Sequence, residues 1–121
     1  MMVSSSTERV DISALIAAEL YDYDPDAGNL RTVGQVAPMS PVWHRKTISE
    51  FRAAMIEPEE VEVLFCGGMV ETCFAVTRSD GAYRVIYIPW AGLFSLAVES
   101  KYGPVDIGVH GDAVSVFGTV H

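Results

Sequence analysis

Apolar and polar positions alternate with two different periods along this chain, and the change between them falls near residue 61. Up to that point the period is helical. In "SSTERVDISALIAAELY", Ile12, Leu15, Ile16 and Leu20 recur at the spacing of one helical face, and Ser5 with Glu8 fits a capping box. In "TISEFRAAMIE", Ile48, Phe51 and Met55 mark a second buried face. Thr47 and Glu50 form a second capping box there, and Pro58 disfavours helical geometry at Glu57 and so ends the element. Between the two helices, Pro25, Gly28, Gly34, Pro38 and Pro41 exclude a long helix. "NLRTVGQV" is expected to form a short edge strand there, with Leu30 and Val33 touching the core.

From Val61 onward the period is two. "VEVLFCGGMVETCFAVTR" alternates about Gly67-Gly68, a pair suited to the positive φ angles of a tight turn. "CFAVTRSDGAYRVIYIP" places strands rich in β-branched and aromatic residues on either side of Ser79-Asp80-Gly81, a hairpin pattern. "LFSLAVES" alternates Phe94, Leu96 and Val98 against Ser95, Ala97 and Glu99. That favours a strand over the helical face that Trp90, Phe94 and Val98 would also share. "VDIGV" and "AVSVFGTV" read as a last hairpin about His110-Gly111-Asp112. Helices first and strands afterwards predict an α+β fold in one domain, residues 1–121. Two N-terminal helices would pack on one face of a mostly antiparallel sheet of about five or six strands. Such a sheet leaves an edge, and edge pairing is one route to a homodimer.

Composition narrows the classes of function. The chain has 121 residues, half of them apolar and a fifth charged, and carries sixteen acidic against eight basic residues for a formal charge of -8. A core can form without disulfides. A nucleic-acid partner is disfavoured, because displacing counterions requires a basic stripe. Eleven of the carboxylates lie between Glu8 and Glu62, so a basic protein partner would meet the N-terminal half. There is no signal-peptide pattern and no apolar run long enough to span a bilayer, so a cytoplasmic protein is the default. Cys66 and Cys73, separated by six residues, match neither a redox pair nor a zinc pattern and read as two buried small hydrophobes.

Four groups of residues are candidates for chemistry. Asp22, Asp24 and Asp26 alternate as in a calcium loop, but the glycine comes one place late and Val33 stands where the closing carboxylate belongs. An acidic turn about Pro25 is the simpler reading, and no metal or cofactor is expected. "WHRKT" places His44, Arg45 and Lys46 just ahead of the expected second helix, where an anion would be favoured. The simpler alternative is that these charges pair with Glu50 and its neighbours. "GVHGD" sets His110 two residues from Asp112, a spacing that suits a general base if both side chains share a face. Trp43, Tyr83, Tyr87, Trp90 and Phe94 are numerous enough to line a pocket. No GxSxG, Walker, GxGxxG or HExxH motif occurs.

The reading that follows is a small acidic, non-enzymatic interaction module, binding a protein partner or a second copy of itself. In its immunity-protein or inhibitor form, Asp22, Asp24, Asp26, Glu57, Glu59, Glu60 and Glu62 imitate an anionic substrate. The alternative is a small-molecule-binding protein or small enzyme. It would have an aromatic-lined pocket and polar contacts drawn from His44, Arg45, Lys46, Trp90, His110 and Asp112.

Overall fold

A computed structural model describes residues 4–23 and 41–120. Among these, the chain runs α1 (Ser4–Tyr23), α2 (Pro41–Ala54), β1 (Met55–Leu64), β2 (Val70–Thr77), β3 (Tyr83–Ile88), β4 (Leu93–Ser100), β5 (Gly103–Gly111) and α3 (Ala113–Gly118). The α+β class and the antiparallel pairing are as the sequence implies. The strands, however, close into a five-stranded barrel, with β1 to β5 neighbours in chain order. Four of the five contacts are antiparallel. The fifth, between β1 and β5, is parallel and pairs Leu64 with Val105. In an up-and-down meander of odd strand number the first and last strands point the same way, so closure can only be parallel. The expected open edge is therefore filled by the chain itself, which is how barrels abolish edges.

Closure creates two buried layers where an open sheet with one wet face was expected. Val63, Cys73, Ile86, Ile88 and Ala97 form one cluster, which the two-residue period places inside the barrel. The alternate residues, Phe74, Val76, Val85, Phe94 and Leu96, form a second cluster with helix residues Ile12, Ile16, Leu20, Ile48, Phe51, Val114 and Phe117. Strands β2 and β4 each carry runs of consecutive buried residues for this reason. Burial pushes the Cys73 thiol up to about 12, helped by the nearby Asp106 and Glu71 charges, so it is an inert hydrophobe. Cys66, expected to be buried, is exposed.

Other expectations are corrected. Leu15 is exposed at 47%, while Ile12, Ile16 and Leu20 are buried. Helix α2 begins at Pro41, where the missing amide costs nothing, so "WHRK" lies within the helix and Thr47 is a buried mid-helix residue. The helix ends at Ala54. Met55 to Glu57 already belong to β1, and buried Pro58 is accommodated where the β1–β2 register is irregular between Met55 and Glu59. "LFSLAVES" is strand β4, whereas "AVSVFG", read as a strand, is helix α3. Asp112 caps that helix by accepting from the Ser115 amide at 3.0 Å. A Cβ at Gly118 would stand 2.7 Å from the Trp43 ring, so the glycine lets α2 and α3 approach. The "NLRTVGQV" segment and the Ser5–Glu8 capping side chains lie outside the described residues. Among the described residues no helix is long and apolar enough to cross a membrane.

Candidate functional site

The residues singled out from sequence do not converge. His44 is fully buried in α2, its ring edge-on to Trp43 with centroids 5.3 Å apart, and burial lowers its pKa below the ordinary 6.5. It is therefore neutral near pH 7. Arg45 and Lys46 are exposed on the same helix, and Lys46 pairs with Glu50 at 3.1 Å, one turn on. Trp90 is 59% exposed and lies 5.4 Å from the Phe65 ring. His110 meets Asp106 at 3.4 Å, whereas Asp112, its expected partner, is committed to capping α3. Asp22 is half-buried near the end of α1, and Asp24 and Asp26 lie outside the described residues. Glu57, Glu59, Glu60 and Glu62 are all exposed along β1.

One unforeseen grouping has a suggestive composition. Ser95, fully buried on β4, donates its hydroxyl to Asp106, and the second oxygen of that carboxylate faces His110 Nε2. A serine nucleophile requires the imidazole between itself and the carboxylate, to remove the hydroxyl proton. Here the carboxylate stands in the centre, and the serine is out of reach of any substrate. The three residues straddle the β4–β5 irregularity between Ser95 and Ala97, and they stitch that bulge together.

A second grouping joins the chain ends. Glu19 of α1 accepts the Val114 amide at 3.1 Å, 95 residues away in sequence. Burial pushes this carboxyl up to about 7. The Val114 and Ala113 amides oppose the shift, and the Asp112 and Asp22 charges reinforce it.

The concave site lies elsewhere. A cavity of about 390 Å³ opens between the last turns of α2 and the β2–β3 end of the barrel. Its apolar wall is Ala53, Ala54, Val85, Leu96 and Phe117, with Tyr83 beside them. Lys46, Arg78 and Arg84 bring positive charge to it, and Glu50 and Asp80 bring negative charge. Arg84 is fixed by Glu99, Nε to Oε2 2.6 Å. Arg78 donates from its guanidinium to the carbonyl of Ala53 near the end of α2. Asp80 Oδ1 accepts the Ala82 and Tyr83 amides at 2.8 and 2.6 Å, which shapes the hairpin turn. Thr77 Oγ1 accepts the Val85 amide at 3.0 Å.

Of the six residues expected at a ligand pocket, Lys46 alone lines this one. Apart from Glu50 on α2, the rest of its charge lies in or beside the "SDG" turn. That hairpin was legible, so the closeness of Arg78 and Arg84 could have been inferred from it. Their meeting with Lys46 and Phe117 could not, because it depends on how α2 and α3 lie on the barrel. Among the described residues, no three or more His, Cys, Asp or Glu side chains gather as a metal cage.

Fold and cleft together define a helix-covered five-stranded barrel with a small mixed-polarity pocket at one end. No family model, curated protein or solved structure matches the chain.

Proposed function

We propose that this chain is a reversible small-molecule-binding domain whose ligand sits in the cleft between α2 and the β2–β3 end of the barrel. The supporting observation is the cavity itself. It measures about 390 Å³, within the range of small-ligand sites, and has one apolar wall and a few converging charges. Binding without covalent chemistry suits the side chains present. Among the described residues lining the cleft there is no Cys, His or Ser, and the one threonine hydroxyl is engaged by a backbone amide. A fragment screen followed by amide chemical shifts checks this. Hits should cluster at Ala53, Tyr83, Arg84 and Phe117 and vanish in Ala53→Phe, which fills the mouth from an exposed helix position. Hits confined to other surfaces reject the proposal.

A second reading, as a protein-interaction module, draws on β1, where Glu57, Glu59, Glu60 and Glu62 present four exposed carboxylates on one strand. It predicts that a basic peptide binds more weakly at high salt. Replacing all four with Gln should then cost at least about tenfold in affinity. Equal binding by the neutralised variant removes this reading.

A further inference from the structure

The charges around the cleft are unevenly committed, and that unevenness identifies the chemistry of the ligand. Two of the three cations have carboxylate partners, Lys46 with Glu50 at 3.1 Å and Arg84 with Glu99 at 2.6 Å. Arg78 differs. Among the described residues its guanidinium donates to a neutral acceptor, the Ala53 carbonyl, which leaves the other N–H groups of its fork for a further acceptor. Asp80 belongs to the same lining, but its carboxylate is oriented by the Ala82 and Tyr83 amides.

The setting favours an anion as well. Eight basic residues serve the whole chain against sixteen acidic ones, yet three of the eight line this one cavity. A concave, partly apolar wall strengthens the field of such charges relative to open solvent. Anchoring Arg78 through one N–H to the end of α2 also fixes the plane of the fork, so less side-chain freedom is lost when an anion docks.

We infer that the cleft binds a small amphipathic monocarboxylate, with the carboxylate on the Arg78 guanidinium and the apolar body against Val85, Leu96 and Phe117. A planar carboxylate matches a guanidinium fork with two parallel hydrogen bonds. One negative charge answers the one cleft cation not already paired with a carboxylate among the described residues, whereas a phosphate dianion would meet Glu50 and Asp80 with excess charge. The inference rests on the cleft being a binding site, and the experiment separates the two claims.

Full-length labelled protein is titrated with hexanoate, benzoate, neutral hexanamide and inorganic phosphate, following cleft amides and the Arg78 side-chain signal. Hexanoate or benzoate should bind at least about tenfold more tightly than hexanamide, and phosphate more weakly than either acid. Arg78→Gln should bring hexanoate down to the level of hexanamide. Arg78→Lys, which keeps the charge and loses the fork, should fall between. The comparison of acid with amide needs no variant, so it stands even if Arg78→Gln loosens the end of α2. Equal binding of hexanoate and hexanamide, or an acid preference that survives Arg78→Gln, overturns the carboxylate assignment and leaves the cleft as a site for neutral ligands. Phosphate binding as tightly as the acids overturns it too. If none of the four probes moves the cleft signals, the carboxylate assignment falls, and a fragment screen that also leaves the cleft silent rejects the binding site itself.

Discussion

Replacing Phe51 with Ala should lower the unfolding free energy by about 3–5 kcal/mol, leaving a variant close to the edge of folding. Phe51 is fully buried, and its ring meets Phe117 edge to face, centroids 5.3 Å apart at 86°. Truncation removes a large apolar side chain and opens a void where α2, α3 and the outer barrel face meet. The collapse that would relieve it is limited by the barrel's hydrogen-bonded wall. Phe51→Leu keeps most of the volume and should lose about half as much. Urea denaturation of both variants checks the ranking. A double-mutant cycle with Phe117→Ala should show a coupling of about 0.5–1.5 kcal/mol from the ring pair. A loss below about 1.5 kcal/mol for Phe51→Ala would mean that α2 is not a full part of the core.

The second large effect concerns pH. The Glu19 carboxyl, pushed up to about 7 from 4.5, binds its proton more tightly in the folded chain than in the unfolded one. Its contribution to stability is therefore fully present below about pH 4.5 and is lost as pH rises through about 7. Above that the folded chain carries a half-buried carboxylate near Asp22 and Asp112, with the Val114 and Ala113 amides in its favour. Glu19→Gln keeps an oxygen for the Val114 amide without the charge. It should match the parent below about pH 4.5 and exceed it at pH 8 by on the order of 1–2 kcal/mol, allowing for partial solvent screening. Denaturation across this range checks it. Parallel profiles for parent and variant would show that Glu19 does not titrate there. Because Glu19 joins α1 to α3, the same titration should loosen the chain ends before the barrel, visible as faster amide exchange at Val114 at the higher pH.

Several elements were legible because the forces that set them are local. The spacing of Ile12, Ile16 and Leu20 fixes a helix face whatever it packs against. The "SDG" turn, flanked by β-branched and aromatic runs, fixes the β2–β3 hairpin. The misreadings occurred where two local signals competed. The Thr47–Glu50 box marks one helix start, but the helix begins six residues earlier at Pro41, where a proline at the first helical position is also a good marker. In "AVSVFG" a single interposed serine imitates strand alternation. The buried set Ala113, Val114, Val116 and Phe117 instead has the three-residue spacing of a helix, and Asp112 ahead of it is a good cap.

By itself, then, the sequence determined the class of fold, the Ile12–Ile16–Leu20 face of its first helix, the β2–β3 hairpin and the excess of negative charge, since each depends on residues near one another in the chain. Only the tertiary structure decided that the sheet closes, through a Leu64–Val105 pairing that no local pattern announces. It alone decided that His110 turns to Asp106. The cleft is likewise a tertiary product, bringing Lys46, Arg78 and Phe117 together from two helices and a hairpin end. Periodicity records which side of an element is buried. It does not record against which other element, because the hydrophobic effect that buries a face is not directional.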